Sequence, residues 1–301
     1  MASPSRPPRS PLPRLLVTGA SGQLGRALVE AAEGVALVAL DRAALDVTDA
    51  GAVRRAVEAH APDVVVNAAA YTAVDRAEAE PERAFAVNRD GAANLASACA
   101  AAGVPLLHVS TDYVFDGAKG TPYVEDDAPN PLGAYGRSKW EGEEAVRARL
   151  ERHVIVRTAW VFGAHGHNFV RTILRLAAER ETLRVVADQR GCPTAADDLA
   201  RALLGVARAV IEVPGRWGTY HYAGQPPTSW YGFAEAVVEE ARMWRSLAVR
   251  DVVPIRTDEY PTAARRPAEV ALDCARIEAA FGIAAAPWRP ALARVVARLL
   301  R

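Results

Sequence analysis

The amino-acid sequence predicts an α/β protein built on a Rossmann-like, doubly wound parallel sheet, with a smaller C-terminal lobe. Short apolar runs alternate with amphipathic stretches up to about Phe162, and the first run leads directly into a glycine-rich turn. After Phe162 the alternation becomes irregular. Because the apolar runs are continuous, we expect strands buried on both faces, as in a parallel sheet covered by helices.

Hydrophobic periodicity predicts the individual elements. In the first part of the chain, strands are expected at 15–17, 35–40, 64–66, 105–109 and 154–156, and helices at 24–32, 82–102 and 135–150. In the second part, short strands are expected at 183–187, 219–222 and 248–253, and helices at 169–179, 195–213 and 230–243. The regions predicted are a disordered tail over 1–13, a Rossmann domain over 14–162, and a lobe over 163–301 that is interleaved with it.

Composition excludes several classes of protein. Half of the 301 residues are hydrophobic, so the chain can form a large core without disulfides or a structural metal. Lys plus Arg and Asp plus Glu both total 36, which argues against nucleic acid or a membrane surface as the main partner. No apolar run is long enough to span a bilayer, and the three cysteines are widely separated. The sequence therefore predicts a cytoplasmic protein with reduced thiols.

His165 and His167 lack an accompanying carboxylate cluster, so no metal site is expected.

A dinucleotide-binding turn is predicted where the first strand meets the first helix. Residues 18–25 read TGASGQLG, which gives the spacing G-x-x-G-x-x-G. Glycines there allow close approach of the backbone to a pyrophosphate, and the helix N-terminus offers unpaired N–H groups. The residues assigned to this cofactor loop are Gly19, Ser21, Gly22, Gln23, Leu24 and Gly25.

Two other strand ends are assigned to the same cofactor. Asp41 is expected to hydrogen-bond a ribose hydroxyl, which favours NADH, whereas Arg42 would pair with a 2′-phosphate, which favours NADPH. The sequence leaves this choice open. The small residues Ala68, Ala69 and Ala70 would let the cofactor lie against the backbone.

The spacing Y-x-x-x-K at Tyr135 and Lys139 predicts the reacting groups, because on a helix it places both side chains on one face. The ammonium is expected to lower the pKa of the phenol and to hold the nicotinamide ribose. Lys119 and Lys139 are the only lysines in an arginine-rich chain, which makes a lysine here informative. Thr111, at another strand end, is expected to hydrogen-bond a substrate carbonyl.

Longer motifs show a resemblance to a known family. They are TGASGQLG (18–25), NAAAYTAVDRAE (67–78), STDYVFDG (110–117), YGRSK (135–139), RTAWVFG (157–163), NFVRTILRLA (168–177), DQRGCPT (188–194) and YPTAARRP (260–267). Together they resemble the extended short-chain dehydrogenases, and specifically the dTDP-4-dehydrorhamnose reductase family. The resemblance extends from Leu15 to the C-terminus.

This resemblance implies a catalytic triad of Thr111, Tyr135 and Lys139, and reduction of the C4 keto group of dTDP-4-dehydro-L-rhamnose by NADPH or NADH. It implies that the lobe over 163–301 binds substrate. The residues implied to contact the dTDP-sugar are Thr72, Val74, Thr111, Asp112, Tyr113, Tyr135 and Trp160. Arg265 or Arg266 would reach the diphosphate. The chain departs from the family at 268–270, where Ala-Glu-Val stands in place of the expected Asn and Ser.

Alternative functions are open on the same fold. An epimerase or dehydratase acting on another nucleotide sugar would share the cofactor loop, although a dehydratase usually places acid/base carboxylates beside the threonine, and here Tyr113 follows Asp112. A non-catalytic NADP-binding regulatory subunit, like that of methionine adenosyltransferase, would not need the Tyr135/Lys139 pair. The oligomeric state is also open, a homodimer included.

Overall fold

A central sheet of six parallel strands organises the computed structural model, whose described residues are 13–213 and 215–301. In chain order, the strands of these residues are β1 Arg14–Thr18, β2 Ala36–Leu40, β3 Val64–Asn67, β4 Leu106–Thr111, β5 His153–Thr158, β6 Val161–Phe162, β7 Thr182–Val186, β8 Arg190–Gly191, β9 Thr194–Ala195, β10 Gly218–His221, β11 Thr228–Ser229 and β12 Asp251–Ile255. The central sheet has the order β2–β1–β3–β4–β5–β10. Because the chain crosses β1 between β2 and β3, the switch point at which such sheets bind ligands lies between β1 and β3.

Helices cover both faces of this sheet. They are α1 Gln23–Glu30, α2 Ala50–His60, α3 Val74–Ala79, α4 Pro81–Phe85, α5 Gly91–Ala102, α6 Ala134–Arg149, α7 Phe169–Glu179, α8 Ala196–Glu212, α9 Trp230–Arg242, α10 Ala275–Phe281 and α11 Trp288–Leu300, with a π-helix at Ala86–Asp90 and 3₁₀ turns at Asp112–Val114 and Thr257–Glu259. Successive side chains of β1 point to opposite faces. Leu15 and Val17 pack with α1, α8 and α10, whereas Leu16 packs with α2, α5 and α6. The predicted doubly wound α/β fold is confirmed.

A separate hydrophobic cluster lies in the second part of the chain. It joins α7, α9 and α11 to the parallel pair β7–β12. Between these segments, α8, β10 and α10 return to the central sheet. The two sets of segments therefore alternate along the sequence, although the domain limits at 14–162 and 163–301 stay predictions.

Most predicted elements lie within a few residues of those observed, and α7 matches its predicted limits. Sequence periodicity missed the helices α2, α3, α10 and α11 and the two-residue strands β6, β8, β9 and β11. It also joined α4, the π-helix and α5 into one segment. Except for Pro13, the tail predicted over 1–13 lies outside the described residues. The carbonyl oxygen of Pro13 accepts a 2.8 Å hydrogen bond from the amide of Ala36. None of the described helices is long and apolar enough to cross a membrane.

Candidate active site

The glycine-rich turn packs directly against the end of β3. Gly19 adopts φ +72°, and a Cβ there would lie 2.6 Å from the amide nitrogen of Ala69. A Cβ at Gly25 would lie 2.2 Å from the carbonyl oxygen of Gly19. Gly22 precedes α1, and no side chain of the described part of the chain caps this helix. The turn thus presents backbone N–H groups at a helix N-terminus, as a pyrophosphate requires.

The residues assigned to this loop face different ways. Ser21 and Gly22 are exposed, whereas Leu24 packs against the core. The side chain of Gln23 donates a hydrogen bond from Nε2 to the carbonyl oxygen of Val161 on β6. Its Oε1 accepts a hydrogen bond from Nδ2 of Asn168, the residue that precedes α7. We therefore expect Gln23 and Leu24 to offer the cofactor their backbone rather than their side chains.

Asn67 holds the strand end beside the glycine turn. Its Oδ1 accepts hydrogen bonds from the Thr18 hydroxyl at 2.7 Å and the Ala69 amide at 3.1 Å. Its Nδ2 lies 3.0 Å from Nδ1 of the buried His108. This network fixes the half-buried segment Ala68–Ala70, so these residues form a floor next to the turn.

Asp41 and Arg42 lie on the turn that follows β2. The carboxylate Oδ1 of Asp41 accepts 3.0 Å hydrogen bonds from the amides of Ala43 and Ala44, which orients the side chain. Arg42 is exposed and lies 3.7 Å from Asp46. The turn therefore carries both residues at the carboxyl end of β2.

Tyr135 and Lys139 share one buried face of α6, at 9% and 2% exposure. The Lys139 ammonium donates a 2.6 Å hydrogen bond to the carbonyl oxygen of Val109. Burial lowers the pKa of Lys139 to about 8, against an opposing effect of Glu143. The spacing argument thus places the pair correctly, and both side chains lie at the carboxyl end of β4.

The pKa of the Tyr135 phenol is raised by its surroundings, and the lowering expected from Lys139 stays a prediction. Burial raises the pKa of Tyr135 to about 12, with a hydrogen bond to Thr111 opposing the shift and the Asp112 carboxylate adding to it. Desolvation penalises the phenolate more than its surroundings stabilise it. Tyr135 is therefore a neutral phenol at neutral pH, which is the form that donates a proton.

Asp112 extends the polar cluster beside the tyrosine. The Thr111 hydroxyl donates to Oδ1 of Asp112 at 3.0 Å and accepts from the Tyr113 amide at 3.2 Å. Asp112 is 2% exposed, and its Oδ2 has no partner within 13–213 and 215–301. Burial raises the pKa of this carboxyl to about 7. A buried, unpaired carboxyl oxygen next to Tyr135 is costly unless a ligand meets it.

The structure separates the two candidate arginines. Arg266 is largely buried, and its Nη2 donates a 2.7 Å hydrogen bond to Asp75, which also accepts from the Ala264 amide at 3.1 Å. Its Nη1 is buried without a partner in the described residues. Arg265 is exposed. Arg266 also influences the pKa of Tyr113, which burial raises, and it is therefore the arginine near the site.

The remaining residues implied to bind substrate divide into two groups. The Tyr113 ring meets Tyr135 edge-on at 5.5 Å between centroids, and Val74 packs against the same cluster. Thr72 is exposed, two residues before Val74. The structure therefore brings Tyr113 and Val74 next to the phenol and leaves Thr72 on the rim.

Trp160 combines backbone strain with aromatic stacking. Its φ of +45° is unfavourable for a residue with a Cβ. Its ring stacks on Trp230 with centroids 3.5 Å apart and planes 7° apart. A Cβ at Gly191 would lie 2.6 Å from the Trp160 ring. Trp230 has no sequence motif that marks it, because the fold of the second lobe brings α9 against this strand end.

A buried ion pair holds α6, the helix that carries Tyr135 and Lys139, against the central sheet. The Glu143 carboxylate, one turn after Lys139, accepts hydrogen bonds from Ser110 at 2.5 Å and from the Arg157 guanidinium at 2.8 Å. Arg147 adds a bond of 2.7 Å. Ser110 and Arg157 tie α6 to β4 and β5, and sequence pattern did not predict these two contacts because both partners lie outside the helix.

Known proteins resemble this chain over nearly its whole length. The family model described as RmlD substrate binding domain matches residues 13–301. A dTDP-4-dehydrorhamnose reductase of Sinorhizobium fredii is 46% identical over 292 residues, covering 95% of this chain and 98% of that protein. The crystal structure of a dTDP-4-dehydrorhamnose reductase from Clostridium acetobutylicum has a TM-score of 0.89 at 37% identity, covering 96% of this chain and 100% of that one. The Bacillus anthracis enzyme, solved in complex with NADP, has a TM-score of 0.87 at 36% identity, covering 94% and 98%. The chain belongs to the dTDP-4-dehydrorhamnose reductase family.

Proposed function

We propose that the protein reduces the C4 keto group of dTDP-4-dehydro-L-rhamnose to give dTDP-L-rhamnose, with NADPH or NADH as the reductant. The observation that carries the proposal is the buried Tyr135 hydroxyl, hydrogen-bonded to Thr111 at the carboxyl end of β4, with Lys139 one turn further along the same buried face of α6. A neutral phenol in this position is the proton donor that carbonyl reduction needs.

The residues present fit a dinucleotide. Gly19 and Gly25 leave room for close approach of the backbone, and the uncapped start of α1 can receive the pyrophosphate. Lys139 would hold the nicotinamide ribose, and Asp41 or Arg42 would meet the adenosine ribose. When bound, the reduced nicotinamide supplies a hydride.

The chain's own residues orient the carbonyl and supply the proton. Thr111 hydrogen-bonds the keto oxygen and keeps it within reach of Tyr135. As the oxygen becomes an alkoxide, a stronger base than a phenolate, Tyr135 gives it a proton. The nearby Lys139 ammonium stabilises the phenolate that remains.

We propose that the dTDP moiety binds between the central sheet and the second lobe. The unpaired Nη1 of Arg266 is suited to the diphosphate, and the stacked rings of Trp160 and Trp230 would form an aromatic wall of the pocket. Asp112, Tyr113 and Val74 would contact the sugar, with Thr72 at the rim. The region over 163–301 supplies most of this lobe, and the Rossmann domain over 14–162 supplies the cofactor site.

The protein would act in the cytoplasm on this small molecule, without nucleic acid, membrane or metal. A homodimer is compatible with this function.

A turnover assay separates this proposal from its rivals. Purified protein is mixed with NADPH or NADH and a panel of nucleotide 4-ketosugars, and the absorbance of the reduced nicotinamide is followed. A reductase consumes the cofactor stoichiometrically with the dTDP-ketosugar. An epimerase or dehydratase would convert sugar without net consumption, and a regulatory subunit would bind cofactor without turnover.

A further inference from the structure

Gln23 connects the cofactor loop to the substrate side of the molecule. It is the first residue of α1, directly after the glycine that precedes this helix. Its Nε2 donates a 3.0 Å hydrogen bond to the carbonyl oxygen of Val161, and its Oε1 accepts a 2.7 Å bond from Nδ2 of Asn168. The side chain therefore spans from the glycine turn to the segment between β6 and α7.

Asn168 is built to hold this contact. It is 7% exposed, and its Oδ1 accepts from the amide of Arg171, which caps α7. Its Nδ2 also donates to the carbonyl oxygen of Gly163 at 2.8 Å. A Cβ at Gly166 would lie 3.6 Å from Cβ of Gln23. The turn over 163–166 thus closes on the glutamine side chain.

The contact adjoins the strained tryptophan. Val161 directly follows Trp160, whose φ is +45°. On the other side, the carbonyl oxygen of Trp160 accepts a 3.2 Å bond from the amide of Thr194. Gln23 and Thr194 therefore hold consecutive residues, Val161 and Trp160, at one strand end.

We propose that Gln23 is a positioning residue. Its side chain sets the distance between the cofactor loop and Trp160, which lines the proposed sugar pocket, so that the nicotinamide and the keto carbon are aligned for hydride transfer. This inference rests on the proposed function. Hydride transfer joins two ligands held by different segments, and a misplacement of about 1 Å can cost ~100-fold in rate. The Gln23 backbone faces the cofactor, while its side chain fixes the other half of the site.

Two variants remove the connection from opposite ends. Gln23→Leu keeps size and helix propensity but loses both hydrogen bonds. Asn168→Ser keeps a capping hydroxyl for α7 but cannot reach Gln23. At saturating NADPH, we expect kcat/KM for the ketosugar to fall about 10-fold or more in each variant, with the NADPH Kd within about twofold of wild type. Because both variants break the same Gln23–Asn168 hydrogen bond, the double variant should lose less than the product of the two single losses.

Glu30→Gln is the matched control. Glu30 lies at the other end of α1 and bonds Arg298 at 2.8 Å and His165 at 2.6 Å, so it also joins α1 to later segments, but at the surface. The Glu30→Gln variant should leave both kcat/KM and the NADPH Kd unchanged.

In the Gln23 and Asn168 variants, the isotope effect with NADPH deuterated at the transferred position should increase, because hydride transfer becomes slower relative to other steps.

The outcomes distinguish the possible roles. If the NADPH Kd rises by the same factor as kcat/KM falls, the side chain is a cofactor ligand and the inference is overturned. If the melting temperature falls while kcat/KM is unchanged, the contact is only structural, which also overturns it. If the wild-type protein does not reduce the sugar, the proposed function is contradicted. The inference is then tested by measuring dTDP binding to the wild type and to Gln23→Leu, with and without NADP⁺. NADP⁺ should tighten dTDP binding in wild type and not in Gln23→Leu, and equal tightening in both would contradict the positioning role.

Discussion

The ammonium of Lys139 is hydrogen-bonded to the backbone carbonyl of Val109, two residues before Thr111 on β4, at 2.6 Å. The bond leads from the middle of α6 to the strand that carries the threonine. It fixes the position of the ammonium on the buried face of α6 that also carries Tyr135. A side chain of another shape could not keep this bond without moving the helix or the strand.

Lys139→Arg should be nearly as damaging as Lys139→Ala, although it preserves the charge. The guanidinium is a wide planar fork, and in a site that is 2% exposed it must displace Val109, the ribose or Tyr135. We expect kcat/KM to fall roughly 100-fold or more in both variants. Near-normal activity of the arginine variant, at an unchanged melting temperature, would show that Lys139 is not the catalytic lysine.

Activity should decline as the pH rises above about 8. Burial lowers the pKa of Lys139 to about 8 and raises that of Tyr135 to about 12, so the ammonium loses its proton long before the phenol does. The basic limb of kcat/KM, which reports the free enzyme, should therefore bend near pH 8. A limb that begins only above about pH 10 would mean that the lysine keeps its ordinary pKa.

Asp112→Asn should stabilise the unliganded protein increasingly as the pH rises. The folded-state pKa of about 7 lies above the ordinary value of 3.8, so the folded protein binds this proton more tightly than the unfolded chain. Wild type then loses stability between about pH 4 and pH 7, by at most about 1.4 kcal/mol per pH unit from this group, and the asparagine variant does not. Melting curves across this range measure the difference.

Asp116→Asn provides the control for that experiment. The Tyr123 hydroxyl and the Ala118 amide bond the Asp116 carboxylate and lower its pKa. This carboxylate is already ionised in both states above about pH 5, so its stabilising contribution is lost only at lower pH. The difference in stability between Asp116→Asn and wild type should therefore stay constant from about pH 5 to 8. An equally constant gap for Asp112→Asn would show that Asp112 is solvated.

Asp41→Ala should weaken NADH binding more than NADPH binding. The carboxylate helps only a free 2′-hydroxyl and repels a 2′-phosphate. Arg42→Ala should have the opposite preference, since it removes the positive partner of a 2′-phosphate. Fluorescence titration of both cofactors against both variants and wild type gives four ratios of variant Kd to wild-type Kd, one for each pair of variant and cofactor. Equal losses of the two cofactors in Asp41→Ala would place the carboxylate away from the ribose.

Local pattern was sufficient for the parts of the site that lie within one element or at a strand end. The glycine turn needs only a strand, three glycines and a helix, and the spacing of Tyr135 and Lys139 fixes a shared helix face by itself. The end of β4 carries Thr111 because the apolar run stops there. These features depend on contacts between residues that are close in the sequence.

The remaining features depend on which distant segments pack together. Arg265 and Arg266 are indistinguishable in sequence, and only the contact with Asp75 shows which one turns inward. Trp230 has no motif of its own. The raised pKa of Tyr135 could not be predicted, because the sequence does not show the extent of burial, which is its main cause.

The most direct test of the central claim is turnover of dTDP-4-dehydro-L-rhamnose by wild type and Tyr135→Phe, with NADPH deuterated at the transferred position. Product is analysed by NMR, and NADPH affinity is measured for both proteins. Wild type should form dTDP-L-rhamnose with one deuterium at C4. Tyr135→Phe should bind NADPH equally well and lose about 100-fold or more in turnover, as expected for removal of a general acid. Absence of deuterium at C4 in the wild-type product, or undiminished turnover by Tyr135→Phe, would contradict the account.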